Sequence, residues 1–390
     1  MDTSIASMDA NIDTYMDDDT EAKENEANEE EKEWWSGKDS LSPPNVEEER
    51  LPLIFARDVT FKKFAKHVDK CNARRFFSFQ NGTVILIELS SGEHEAANCV
   101  FGQKFVSAVN STHEYIHNWG RKSLYSRTGY YEEADSCYVP EGLIPTGNNG
   151  IVVANPCDQN GNPWPTIIVE VASSESLSHA IDKVNNYWFL PNYCEDVIII
   201  KIDKWRNRRH NSQTLRPLRR LRCLKFCRTA SLQQNLNTTK FEAIEEIEFG
   251  SVHPNGQESS FCIGPHMKWI TIDCNCIFSG CQQPFPLFNV VQSSVPLPPQ
   301  SPSPLQRPGV AIDLYDIQQS IFRAMGWLCS KLLDVSIPFD TRELSWQGLS
   351  IINMIPSHGG VKSAKGGVNN NTLFLYGEYS TDKQWISLYI

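Results

Sequence analysis

Between Pro165 and Lys183 the chain reads PTIIVEVASSESLSHAIDK: an apolar strand with one acid at its centre, a polar turn, then a helix that carries a lysine. Side chains on a strand alternate between faces, so over Thr166–Ala172 residues Ile167, Val169 and Val171 share one face and Ile168, Glu170 and Ala172 the other. Glu170 is thus a carboxylate on an otherwise apolar element. Burying an unpaired carboxylate costs several kcal/mol or more, so a metal, a cation or water in a cleft is expected to receive it. Ser173, Ser174 and Ser176 are good N-cap residues. Leu177, Ala180, Ile181, Val184 and Trp188 follow at helical spacing and form the apolar stripe, with His179, Lys183 and Tyr187 along its edge. Lys183 can lean toward Glu170 from there; a solvated lysine beside a structural glutamate fits the same spacing.

Upstream, YYEEADSCYVP contains a short alternating strand, Ala134–Val139, on which Asp135 shares a face with Cys137 and Val139. Two acids on neighbouring strands with a lysine close by suit a divalent cation, because hard cations take oxygen ligands. Such an ion would polarise a phosphodiester and lower the pKa of a bound water. The lysine would orient that water or neutralise developing charge.

These residues resemble the PD-(D/E)XK nuclease superfamily, and within it the restriction-endonuclease branch that places its lysine on the helix. The similarity runs through VILIELSSGEHEAANCVFGQKF (Val84–Phe105), ADSCYVP (Ala134–Pro140) and PWPTIIVEVASSESLSHAIDKVNNYW followed by EDVIIIKI, ending near Ile202. The resemblance implies a restriction-endonuclease-like α/β core, a mixed central sheet flanked by helices. It also implies Asp135 and Glu170 as metal-binding acids, Lys183 as the catalytic lysine, and magnesium or manganese as cofactor. The superfamily's usual lysine position, two after the acid, is Ala172 here, and Ala134 stands where the pattern has proline. Glu95, near the start of the first helix, is a weaker candidate for an additional acid; a solvated first-turn glutamate fits as well.

Charge divides the chain. Residues 1–50 hold 17 acids and 4 bases, a net of −13, and read as a disordered acidic tail. Between Lys201 and Arg228 there are 11 Lys or Arg against the single acid Asp203. Arg208, Arg209, Arg216, Arg219, Arg220, Arg222, Lys225 and Arg228 are the candidate nucleic-acid contacts, with DNA the expected partner. A nuclear-import signal or a solvated basic hairpin are the competing readings. No apolar leader follows a basic start and no run has the length of a membrane span, so an intracellular, cytoplasmic or nuclear protein is expected.

The twelve cysteines are then expected to be reduced. Cys223 and Cys227, and Cys274, Cys276 and Cys281, lack the usual CxxC spacing, so free core cysteines are the leading reading and a zinc site the alternative. Cys274 and Cys276 are expected at strand alternation.

Leu51–Lys70 reads as a strand or turn followed by a short helix, and FFSF–Asn81-Gly82–VILIEL as a hairpin. A helix is expected over 93–118 and another over 176–190, with a fully apolar strand at Asp196–Ile202. One domain is expected over 51–283. A Pro/Ser-rich linker follows at 284–308, then a C-terminal extension, 309–390, that opens with VAIDLY and an amphipathic helix. Two function classes remain open: a metal-dependent nuclease acting on nucleic-acid phosphodiesters, and a nucleic-acid-binding or adaptor protein that keeps the fold without turnover.

Overall fold

The computed structural model describes residues 50–326 except 72, 74–75, 90, 122, 126–130, 145–156, 158–160, 190–193, 206–207, 231–239, 283 and 286. It also describes residues 25–27, 29, 32 and 35 and two strands at 374–377 and 386–389. The chain divides into two units, Met1–Leu328 and Cys329–Ile390.

The first unit opens with a small sheet of β1 (Asn25–Glu26), β2 (Leu53–Ala56), β3 (Phe77–Gln80) and β4 (Thr83–Leu86), in the order β1-β2-β4-β3, with helix α1 (Phe61–Cys71) after β2. The β3–β4 hairpin forms on the turn read from the sequence. Asn81 and Gly82 both take positive φ, 48° and 85°, the turn geometry that matches the twist of paired strands. Leu53, Phe64, Val68, Phe77 and Val84 form its core.

The acidic tail does not wholly stand apart from this core. Asn25 and Glu26 pair in parallel with Leu53 and Ile54, and Trp35 is buried between the rings of Phe64 and Phe77. An aromatic side chain with so much apolar surface outweighs the acidic composition around it. Residues 1–24 of the tail lie outside the described residues.

The main body follows: α2 (Gly92–Asn110), β5 (Ile116–Gly120), the hairpin β6 (Ser123–Tyr125) and β7 (Tyr131–Glu133), β8 (Ser136–Pro140), β9 (Ile167–Ala172), α3 (Leu177–Lys183) with a π-helical turn over Val184–Trp188, β10 (Asp196–Ile202), β11 (Leu221–Cys227) and β12 (Glu245–Glu248). Six of these strands form a mixed sheet in the order β12-β11-β10-β9-β8-β5, in which only β9 and β10 run parallel. Alternation sends Val169, Val171, Ile198 and Ile200 to the face covered by α2, and Ile168, Ala172, Val197 and Ile199 to the face covered by α3. The helix expected over 93–118 ends at Asn110, whose Oδ1 accepts the Ile116 N–H at 3.1 Å. That bond turns the chain into the edge strand β5.

The domain boundary expected at 283 is not where the chain divides. β13 (Trp269–Asp273), the one-turn helix α4 (Cys274–Ile277), β14 (Asn289–Gln292), β15 (Gly309–Asp313) and α5 (Leu314–Ala324) belong to the first unit. β14 runs parallel to β15, so part of the expected linker is sheet, while 296–308 is mostly exposed. Val310, Ile312, Ile317, Ile321 and Phe322 join the same core as Ala97, Phe101 and Phe105 of α2. Any Cβ at Gly309 would lie 2.2 Å from the Ile272 carbonyl, so this strand crossing requires glycine. Cys274 and Cys276 lie on α4 instead of a strand, because the Cys274 N–H bonds to the Pro308 carbonyl at 2.8 Å and the chain turns into a helix. In the second unit, β16 (Phe374–Gly377) and β17 (Ile386–Tyr389) pair antiparallel.

Candidate active site

Asp135 immediately precedes β8. Continuing the Ser136–Val169 register by one residue sets it opposite Glu170 on β9. Its Oδ2 accepts the Val171 N–H at 2.7 Å, and its Oδ1 faces His94 Nε2 at 3.1 Å. Glu170 is 1% exposed. Lys183, at the end of α3, reaches back across the sheet and donates to Glu170 Oε2 at 2.8 Å. The structure thus brings Glu170 and Lys183 into contact and sets Asp135 on the adjoining strand. Glu170 Oε1 is buried with no hydrogen-bond partner.

Four further residues complete the cluster. Glu88, just beyond β4, lies 3.6 Å from His94 Nε2 and accepts the Ser173 N–H at 3.0 Å. Glu175 sits 3.3 Å from Lys183 and hydrogen-bonds His179. Lys201 on β10 donates to the Ser173 and Glu175 carbonyls at 3.1 and 2.6 Å, which fixes the turn between β9 and α3. That turn is held from its other side by Ser174, whose hydroxyl accepts the Leu89 N–H at 2.7 Å. Glu95 stands at the margin of the cluster, with one oxygen on Arg121 and the other 3.6 Å from His94 Nδ1.

Sequence reading did not assign Glu88, His94, Glu175 or His179 to the site, although it set His179 on the same helix edge as Lys183. Glu88 carried a signal, since it is an acid inside the apolar run VILIEL, the pattern that singled out Glu170. His94, Glu175 and His179 lie in capping and first-turn positions, where polar residues are ordinary.

The electrostatics follow from burial and crowding. Burial pushes Glu170 well above the usual carboxylate range, with Asp135 and Glu175 adding to the rise and Lys183 opposing it. Burial disfavours the charged Lys183, but Glu170, Glu175, Glu132 and Asp135 outweigh it and hold the ammonium protonated. Burial would also raise Glu175, but Lys183 and His179 win and hold it at about 2. Burial, assisted by Asp135 and Glu175 and opposed by His94, raises Glu88 to about 8. His94, despite burial, is raised to about 11 by Asp135, Glu95 and Glu88. Asp135 is lowered: burial acts against this, and His94, Lys183 and the Val171 N–H prevail. One carboxyl that tends to hold a proton therefore stands beside one held ionised, with an ammonium next to the first. That is the separation of roles that acid–base chemistry needs.

The basic stretch has a different fate from the one its charge suggests. Arg219, Arg222 and Lys225 are each 5% exposed. Arg219 donates to the Asp203 carbonyl at 2.6 Å and pairs with Glu93 at 3.2 Å. Arg222 pairs with Asp203 at 3.0 Å, Arg220 with Glu248 at 2.6 Å and Arg228 with Glu195 at 2.7 Å. Lys225 donates to the Thr271 carbonyl at 2.7 Å. Arg216 donates to the Cys262 carbonyl at 2.7 Å and stacks its guanidinium over Phe322. Arg208 and Arg209 are exposed. Arg219, Arg220, Arg222 and Arg228 thus face acids of the same chain.

Among the described residues no helix is long and apolar enough to cross a membrane. No family model matches the sequence, and no curated protein matches it. Among solved structures, a candidate nuclease belonging to DUF820 from Anabaena variabilis is similar at 15% identity, over 32% of this chain and 65% of that one, with a TM-score of 0.23. This chain thus spans just under two thirds of that protein, and a likeness of this size carries no argument about chemistry. The fold is mixed α/β, a six-stranded mixed sheet with helices on its faces.

Proposed function

We propose that this chain is a nuclease-like protein that hydrolyses nucleic-acid phosphodiesters with a divalent cation, using Asp135, Glu170 and Lys183. The observation that carries the reading is the Lys183–Glu170 contact at 2.8 Å, with Glu170 Oε1 buried and lacking a donor. A buried carboxylate oxygen without a partner is a costly feature unless something binds it.

The residues present fit a cation. Glu88, His94 and Asp135 offer ligand atoms within 4.8 Å of one another, and Glu170 lies on the strand beside Asp135. His94 would have to give up the proton it shares with Asp135 before its imidazole could bind, so uptake of the cation would release a proton. The cation would polarise the scissile phosphate and lower the pKa of a bound water. Lys183 then holds positive charge where negative charge develops. Arg208 and Arg209, exposed beyond β10, are the best placed of the basic residues to meet a DNA backbone.

One observation favours the second reading, an adaptor without turnover. Asp135, Glu170, Glu175 and His94 are each 4% exposed or less, and Lys183 already occupies one oxygen of Glu170. Cleavage of supercoiled and single-stranded DNA with manganese, magnesium or EDTA separates the two. The nuclease reading expects metal-dependent nicking that Glu170→Gln and Asp135→Asn each reduce at least about 100-fold, as for loss of a principal catalytic group, with DNA binding kept. Undiminished cleavage by Glu170→Gln rejects this site. Intact DNA binding with no cleavage under any metal selects the adaptor.

A further inference from the structure

On the opposite face of the sheet from Glu170, two cysteines 49 residues apart in sequence meet. Cys227 ends β11 and Cys276 lies on α4, and their Sγ atoms are 3.9 Å apart. Two thiolates bound to one tetrahedral zinc at 2.3 Å stand about 3.8 Å from each other. Glu195 joins them: its carboxylate and the two sulfurs all lie within 4.8 Å of one another. All three residues are buried.

A second feature points to the same place. Asp196, the first residue of β10, is 0% exposed, and neither of its carboxylate oxygens makes a hydrogen bond. Its polar neighbours are Lys225 Nζ, 3.4 Å from Oδ2, and the thiols of Cys227 and Cys276. A fully buried carboxylate that meets one ammonium at 3.4 Å and otherwise only weakly donating thiols leaves room for a cation. Cys227 Sγ also receives the Ala230 N–H at 3.5 Å, the kind of bond that steadies a metal-bound thiolate. Glu195 is held in place by Arg228 at 2.7 Å and the Thr229 N–H at 3.2 Å.

Charge selects the ligand class. With protonated thiols, Glu195 and Asp196 are balanced by Arg228 and Lys225. One divalent cation that displaces two thiol protons adds two positive and two negative charges, so the buried cluster stays neutral. Thiolate donors favour zinc-class ions over magnesium or calcium.

We propose that Cys227, Cys276, Asp196 and Glu195 form a structural site for one zinc-class cation, which ties β10 and β11 to α4. Binding releases two protons, one from each thiol, and forms two metal–sulfur bonds. The site is independent of the nuclease reading.

The test is a cobalt titration of the full chain kept under reductant. Expected is a near-ultraviolet thiolate-to-cobalt charge-transfer band that saturates at one equivalent. Cys227→Ser and Cys276→Ser should each remove at least half of it, Asp196→Asn should weaken cobalt affinity about 10-fold, and Glu170→Gln should leave it unchanged. No such band in the unmodified chain, or a band that survives both cysteine substitutions, overturns the proposal. X-ray absorption at the zinc edge of the unmodified, zinc-loaded chain gives an answer free of folding effects. Two sulfurs at about 2.3 Å support the site; a shell of oxygen and nitrogen alone overturns it.

Discussion

β9 and β11 both carry charge through an otherwise apolar sheet, and every residue of each strand is buried. On β11, Arg222 meets Asp203, and Lys225 meets the Thr271 carbonyl, with Asp196 3.4 Å away. Arg219 and Arg228, at either end of the strand, meet Glu93 and Glu195. On β9 the balance is incomplete. One ammonium, Lys183, is shared between Glu170 and Glu175, and an oxygen of Glu170 is left over. A charge that finds its counter-charge at hydrogen-bond distance belongs to the architecture, whereas a buried one left short marks where a ligand or a reaction would enter.

Removing Lys183 breaks the β9 side of this comparison most severely. Lys183→Met leaves Glu170 buried without its cation and Glu175 with His179 alone, and should cost about 3–5 kcal/mol in urea unfolding. Adding Glu170→Gln should return part of that loss. Equal stability of the single and double variants would mean that the two side chains are not energetically coupled.

Arg222→Met probes the β11 side. Its partner Asp203 is partly exposed and regains water, so the cost should be smaller, about 1–3 kcal/mol, the range for removing a charged hydrogen bond. A loss as large as that of Lys183→Met would erase the distinction between the strands.

If β11 is architecture, DNA affinity should depend on the exposed pair instead. Arg208→Ala with Arg209→Ala should weaken binding evenly across sequences. The slope of log affinity against log salt should fall by about 1 for each phosphate that is no longer neutralised. Arg222→Met, where it remains folded, should leave that slope unchanged.

The smallest effect is expected at a single pair between two helices. Lys104 pairs with Asp316 at 2.8 Å, joining α2 to α5. Burial would raise Asp316, but Lys104 and the Ser294 bonds lower it below its ordinary 3.8. A lowered folded-state value stabilises above the ordinary value and is lost as pH falls through the lowered one. The contribution, about 0.2–1 kcal/mol, should therefore disappear below about pH 4. Asp316→Asn should flatten that acid limb in a stability–pH profile, and an unchanged limb would show that the pair contributes nothing.

Local pattern was enough for β9, the β3–β4 hairpin, β10 and the cap of α3, because alternation, the Asn81-Gly82 turn and the Ser176 cap act within a few residues. Glu170 was legible for the same reason: an acid amid five apolar neighbours on one strand stands out in any context. The sequence by itself also determined that 201–228 carries concentrated positive charge. Only the tertiary structure decided that the β11 part of this charge is spent inside the fold, since Glu93, Asp203, Glu195 and Glu248 reach it through strand pairing and packing. It likewise decided that Glu88 and His94 stand beside Asp135, that Cys227 meets Cys276, and that 309–324 completes the core against α2. Those contacts join residues from 6 to over 200 positions apart in the chain. Burial and pairing over such separations depend on how whole elements close on one another, which no local run of residues encodes.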